Sequence, residues 1–406
     1  MNSQYISSVR SLALSLLVLV LAFSSNASAN NVTVGCAGAA GVFDFNSLQS
    51  ALNALHAISN RNHQITLSGT CTGTANITDF ENLRLIGTPG ATLVDPGPGG
   101  PGDPNAVLVV QLSKNVFVQG ITLQGLGSTG GTLSIVFDST SVNFDQCTFQ
   151  NAGAGIFLNQ GSFVNVSESV IQNNGLGIRV SGSVMTVGAP GGGPAQTYLQ
   201  NNGTGIQVDE NAQMNVYTTT TIQNNSGVGI NVTGGRLRLC CAGNIQILNN
   251  FRGIAVNYGS VDMIGPVVIQ GNTVSGVLLN GSQASIGGGQ TIQQNGSAGR
   301  LSGGIIARGN SHLDLFSSQI VNNTGSGVVL RDNSSARIFD NTISGNSGGG
   351  VTLLILSSAA ITGTITGNAG VDLSCSPDSF AYGDDSLVGK KFCSRFSVEP
   401  IEGPNP

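Results

Sequence analysis

The chain has no tryptophan, and aromatic residues make up only 5% of its 406 positions. A surface that holds sugars by ring stacking is therefore poorly supplied. Charge is almost as scarce. Asp, Glu, Lys and Arg together reach 9%, against roughly a quarter in ordinary soluble domains. The net charge of −5 contains no basic cluster, which excludes nucleic acid as an expected partner, because such binding rests on many Lys and Arg contacts to phosphates. There are three histidines, His56, His63 and His312, and none is close in sequence to a cysteine pair. No metal site and no cofactor are expected. The glycine-rich runs follow apolar segments but open no helix, which argues against a phosphate-binding loop. Helices are excluded from the body of the chain: 59 glycines, with frequent Asn, interrupt every stretch of helical length, and both are poor helix residues. Beyond residue 29 no apolar run is long enough to cross a bilayer; Val351 to Leu356 is only strand-sized.

What is present is one phrase, repeated: an aliphatic residue, a polar pair ending in Asn, one or two Gly, then aliphatic-x-aliphatic. It reads Ile171-Gln-Asn-Asn-Gly-Leu-Gly-Ile-Arg-Val180, and again Leu199-Gln-Asn-Asn-Gly-Thr-Gly-Ile-Gln-Val208. Copies follow at Ile222, Ile247, Ile320 and Ile343. The aliphatic residue after each Gly serves as a ruler: Ile156, Ile178, Ile206, Ile230, Ile254, Val277, Ile305, Val328, Val351 and Val371. Its steps cluster at roughly 22 to 24 residues, with two of about 28, within the range of stacked repeat proteins. The long steps carry the inserts 188–194 and 296–304, expected to fall in loops on one side of the stack. Between rulers the pattern alternates with period 2, as in Phe163-Val-Asn-Val-Ser-Glu-Ser-Val170. That is the signature of short strands joined by tight turns. A unit this small cannot bury its own apolar face, so units must stack on a shared core. The Asn pairs are expected to serve the turns, since Asn tolerates left-handed backbone, and to stack as amide ladders.

The repeats resemble those of right-handed parallel β-helix proteins, the pectin-lyase-like superfamily, over roughly residues 60 to 375. The resemblance implies an all-β chain: a single-stranded, right-handed parallel β-helix solenoid with an N-terminal α-helical cap. It implies no particular activity, because the superfamily holds lyases, hydrolases, epimerases and adhesins.

The ends are legible as well. Residues 1–29 read as a secretory signal peptide, with Arg10, an apolar stretch from Leu12 to Phe23, and Ala27-Ser-Ala29 as the cleavage site. A secreted, extracellular or periplasmic, monomeric protein with no membrane span after cleavage is expected. Residues 30–62 form the cap, where Asp44 or Asn46 starts a helix whose Phe45, Leu48, Leu52, Leu55 and Ile58 share one face. Residues 63–374 form the coils, and 375–406 a disulfide-closed segment ending in a disordered tail. Asp95 to Pro104 reads as a Pro/Gly-rich loop. Seven cysteines in an exported chain imply disulfides and one odd thiol. The pairs expected are Cys36 with Cys71 and Cys375 with Cys393, with Cys147 a buried free thiol. Cys240 and Cys241 are either a vicinal disulfide or two thiols on opposite faces of a strand.

The ruler also names the outward rows. One holds Phe157, Arg179, Gln207, Asn231, Ala255, Leu278, Ile306, Val329 and Thr352; two residues further on come Asn159, Ser181, Asp209, Thr233, Asn257, Asn280, Arg308, Arg331 and Leu354. Arg179, Asp209, Arg308, Arg331 and Asp332 are the candidate binding residues, because arginine recognises carboxylates through two parallel hydrogen bonds. Phe157 and Tyr258 could stack on sugar rings. Glycoside hydrolysis needs two carboxyl groups at a defined separation, and no catalytic residue can be named on that basis. Polygalacturonase-like motifs are missing from the coils, whose few acids do not cluster. A lyase reading leaves only Arg308, Arg331 and Asp332 with His312 and Asp314 nearby. The function expected is a non-catalytic exported protein presenting a polar face to a polysaccharide or cell-surface glycan, for binding or adhesion. The alternative is a lyase or glycoside hydrolase acting on an acidic polysaccharide through an atypical site, with Ca2+ as cofactor in the lyase case alone.

Overall fold

The computed structural model describes residues 30–57, 62–97, 106–127, 130–188, 196–217, 219–241, 244–297 and 302–398. Residues 1–29, expected to be a signal peptide, Ile58, the tail from residue 399 and the centres of both inserts lie outside the described residues. The chain winds as a right-handed parallel β-helix, the hand that parallel crossover connections take. Every turn lays one strand on each of three parallel sheets, which hold 16, 13 and 14 strands in the order the chain visits them. Thirteen complete coils result, each rising about 4.8 Å. Strand Asn30–Gly35 is the outer rung of the first sheet and pairs in register with His63–Ser68.

The repeated phrase can be read atom by atom. Ile171 points inward and is fully buried. Gln172 points outward on the second sheet, where Gln124, Gln150, Gln172, Gln200 and Gln223 form a chain of side-chain amide hydrogen bonds of 2.8–3.0 Å. Asn173 takes the left-handed turn with φ 57°, as Asn201, Asn224 and Asn249 do on the next three coils and Asn322 further on, with Gly271 and Gln294 in the same conformation between them. Asn174 turns into the core, 2% exposed. Its Nδ2 donates to Asn202 Oδ1 at 3.1 Å and to the Phe149 carbonyl at 3.2 Å, while its backbone N–H also donates to Asn202 Oδ1. The same set of bonds recurs through Asn225, Asn250, Asn272, Asn295, Asn323, Asn346 and Asn368. Gly177 completes the phrase: a β-carbon there would lie 2.4 Å from the Gly205 carbonyl oxygen. The ladder ends on Asp372, whose Oδ1 accepts from Asn368 Nδ2 at 2.7 Å and whose Oδ2 accepts from the Lys390 N–H at 2.8 Å. A carboxylate only accepts, so it closes a stack of donors without leaving a free amide.

The ruler residues pair rung on rung from Ile156 to Val351. The last step is a correction: Val351 pairs with Leu373, not Val371. A second correction concerns the inserts. Residues 188–194 follow strand Val184–Val187 and precede Thr197–Gln200, at the corner between the first and second sheets, whereas 296–304 lies between the second and third. They occupy different corners. The helix is Leu48–His56 and packs against the first coil through Leu48, Ala51, Leu52 and Leu55. Its N-cap is Ser47, which accepts from Ser50 N–H, rather than Asp44 or Asn46. Asp44 is committed elsewhere: the Thr33 backbone N–H and hydroxyl both donate to its Oδ2, at 2.7 and 2.9 Å, and hold its carboxyl below the usual range.

Cys36 is bonded to Cys71 and Cys375 to Cys393, with Cα separations of 5.1 and 4.6 Å. Cys240 and Cys241 form a vicinal disulfide. Cys147 is a buried free thiol that donates to the Val118 and Asp145 carbonyls, and burial pushes its pKa up to about 11.

Two predictions follow from this interior. Asn202→Asp replaces the Nδ2 that donates to both the Ile171 carbonyl and Asn225 Oδ1 by a carboxylate oxygen, which faces those two acceptors with no proton to give. It should destabilise the fold by about 1–3 kcal/mol or more, the penalty for a buried polar group left unpaired being larger when it is charged, measured by chemical denaturation. Asn231→Asp, on an outward row, should leave the unfolding midpoint unchanged. Thiol titration should find no reactive cysteine in the native chain and a single one in denaturant without reductant. A Cys36→Ser variant should add Cys71 to the alkylated set.

Candidate functional site

The outer surface of the third sheet breaks the general rule of the solenoid. Many outward positions elsewhere are polar and partly exposed, but here Ala255, Leu278, Ile306 and Val329 stack on successive rungs and are 4, 8, 5 and 0% exposed. They form a small apolar cluster of their own, outside the main core. The polar face expected of this row is thus corrected to an apolar one over these coils, at residues the ruler already placed outward.

Around the stripe the surface is concave. Leu278 and Ile306 lie in a pocket of about 60 Å³ with Val274, Arg252, Arg308 and Arg331. Further along the same rows, a groove of about 580 Å³ runs over the next coils. Thr352, Leu354 and Ser374 line one side of it, and Gly348, Gly349 and Ser326 belong to its far wall at the corner between the second and third sheets. Thr352 pairs with Val329 and Ser374 with Thr352, so pocket and groove lie on one row parallel to the solenoid axis, with the buried Val329 rung between them. The glycines matter here for a steric reason: a β-carbon at Gly348 would lie 2.7 Å from the backbone of Gly325.

The candidate residues divide among separate places. Arg308 and Arg331 line the pocket together. Arg331 holds Asp332 through Nε at 2.8 Å and Nη2 at 3.4 Å. Arg179 and Asp209 form an ion pair at 3.1 Å on adjacent coils nearer the N-terminus, apart from the groove. His312 and Asp314 do not join the arginines: they face out from the first sheet, where His312 Nε2 lies 3.4 Å from Asp314 and Arg337 3.9 Å from it. The chain turns a corner between Arg308 and His312, and that turn separates them. Phe157 is not open to a sugar ring, since the Arg179 guanidinium lies 5.4 Å from its centroid. Arginines lie similarly over Phe117, Phe251 and Phe339. Tyr258 is 74% exposed.

Arg252 was missed. It starts its strand at a rung where the register partners are Val228, Ser275, Gly303 and Ser326. A cation among small and aliphatic equivalents was the available signal. Burial, and then the charge of Arg308, lower its pKa from the ordinary guanidinium value. Among the described residues neither Arg252 nor Arg308 has an acidic partner, and no group of three metal-ligating side chains occurs.

Residues 242–380 match the family described as "Right handed beta helix region". The coils are those of a right-handed parallel β-helix. No curated protein matches the chain. Among solved structures it is similar to the enzymatically active domain of tailspike protein 2 from bacteriophage CBA120, with 12% identity, a TM-score of 0.45, and coverage of 75% of this chain and 52% of that one. A periplasmic alginate epimerase matches at 12% identity and a TM-score of 0.47, covering 83% of this chain and 76% of that one. The catalytic domain of an α-1,3-glucanase matches at 14% identity and a TM-score of 0.46, covering 94% and 70%. The chain spans about half the length of that tailspike structure. At such identities the likeness extends to the fold alone. Among the described residues, no helix is long and apolar enough to cross a membrane. Three disulfides fit an oxidising compartment.

Proposed function

We propose that this protein is an exported glycan-binding solenoid that holds a linear polysaccharide along the outer surface of its third sheet, without cleaving it. The observation that carries this reading is the alignment of pocket and groove along one row of stacked residues. A linear groove aligned with a rigid repeat fits a linear polymer, and its lining of Ser326, Ser347, Thr352 and Ser374 hydroxyls with patches of Leu354 and Val371 suits the mixed polar and apolar faces of a sugar. The preformed strands lower the ordering penalty of binding. Binding rather than hydrolysis is supported by the acids nearby. Glycoside hydrolysis calls for two carboxyl groups flanking one bond, but the acid beside the pocket, Asp332, is engaged by Arg331, and Asp209 lies at the other end with Arg179.

The test is affinity electrophoresis of residues 30–406 through gels containing soluble polysaccharides, with and without calcium, with product masses recorded in parallel. Retardation without fragments is expected. Thr352→Trp fills the groove from an outward position and should weaken retention at least tenfold while leaving the melting temperature unchanged. Fragments released by the wild-type chain would overturn the non-catalytic reading; equal retention of the Thr352→Trp variant would overturn the groove.

A further inference from the structure

We propose that the pocket between Arg252 and Arg308 is a subsite for a sulfate ester carried by the bound glycan. This rests on the groove being the glycan site and adds the chemistry of its ligand. The two arginines reach the pocket from opposite ends of their strands and from coils two apart: Arg252 opens the strand Arg252–Asn257, while Arg308 closes Gly303–Arg308. Both line one pocket whose floor is Leu278 and Ile306. Like charges gathered over an apolar floor repel more strongly than in water, and no carboxylate of the described residues lies between them. The lowered pKa of Arg252, caused first by burial and then by Arg308, reports the same unfavourable pairing. An anion placed between the two removes it. Arg331, already braced by Asp332, forms part of the wall.

The shape selects the anion. A cavity of about 60 Å³ is a few water sites, at roughly 10–15 Å³ each, enough for a substituent and too small for a sugar ring. A carboxylate is planar, and a single guanidinium takes the edge formed by its two oxygens with parallel hydrogen bonds; a second arginine then reaches only the outer lone pairs in that same plane. The three terminal oxygens of a sulfate ester diverge and can accept from guanidiniums on opposite sides at once. The overall charge of −5 also opposes indiscriminate attachment of polyanions, so attraction to a sulfated chain has to come from a local site.

The experiment compares three polymers on one backbone, namely dextran sulfate, carboxymethyl dextran and neutral dextran, at fixed ionic strength. Variants are Arg252→Ala, Arg308→Ala and, on the first sheet, Arg337→Ala. Dextran sulfate should bind tightest. Its affinity should fall about tenfold to a hundredfold in Arg252→Ala and in Arg308→Ala, the range for losing a charge-assisted hydrogen bond, and stay constant in Arg337→Ala. Arg308 is exposed and its loss leaves the core untouched, so its variant guards against a folding defect in Arg252→Ala. Unchanged dextran sulfate affinity in both pocket variants overturns the subsite, and so does equal affinity for carboxymethyl dextran. If neutral glycans bind and Thr352→Trp abolishes that binding while sulfation adds nothing, the subsite fails and the groove stands. If no polymer binds, both fall.

Discussion

The interaction on which this fold depends is the asparagine ladder at the corner between its second and third sheets. The polypeptide must bend sharply there on every coil, and a bend inside a stack of strands leaves backbone donors and acceptors with no strand partner. Nine asparagines, from Asn174 to Asn368, resolve this with a single side-chain type: each amide nitrogen donates to a backbone carbonyl on the second-sheet strand of the preceding coil and, up to Asn346, to the next amide oxygen, and each amide oxygen accepts a backbone N–H. Such chains of aligned amides polarise one another. All donate toward the C-terminal coils, so their dipoles add, and the positive end of the stack meets the carboxylate of Asp372. The logic is that of an acid at the end of a helix macrodipole, built from side chains. Serine hydroxyls do similar work at the corner between the third and first sheets: Ser282, Ser311, Ser334 and Ser357 each direct a backbone N–H to the hydroxyl of the next coil.

A structure that repeats this strictly has little freedom for chemistry at its interior positions. Binding has to arise where the repeat is broken outward, and the third sheet shows such a break. Positions that carry Gln207 and Asn231 in middle coils become Ala255, Leu278, Ile306 and Val329 further on. An apolar stripe on an outer surface is costly in water unless something covers it. Val228 packs against it, and Arg252, Arg308 and Arg331 line the pocket over Leu278 and Ile306, as a side chain with an aliphatic stem and a charged head is suited to do. The residues that border the stripe therefore present the cations.

How much of this the sequence disclosed depends on whether a feature repeats. The ruler residues, the strand parity, the double role of Asn-Asn and the two long-range disulfides were legible because each is dictated by local pattern or by export. The ruler failed at Val371, where Asn368-Ala-Gly-Val-Asp-Leu373 spaces its aliphatic residue differently because Asp372 has taken over the end of the ladder. The helix start failed because three polar residues, Asp44, Asn46 and Ser47, are near-equivalent in propensity, and only the tertiary bond of Asp44 to Thr33 decides among them. The site was less legible still. Arg308 and Arg331 were found by their rungs, but Arg252 begins its strand, outside the rows that parity identifies. His312 and Asp314 looked close to Arg308 in the chain, yet a corner of the coil lies between.

Rigidity is the remaining link between ladder and site. The pocket brings together residues from three different coils, Arg252, Arg308 and Arg331, so its geometry is only as well defined as the stacking of those coils. In an ordinary loop-built site, two arginines facing each other would swing apart into water and the repulsion would vanish. Here the rungs are pinned by Asn250, Asn272, Asn295 and Asn323 within the same coils, and backbone relaxation along the axis would break a bonded amide at every step. The interior amide stack thus sustains the strained electrostatics on the surface, and a complementary anion is the component that relieves them.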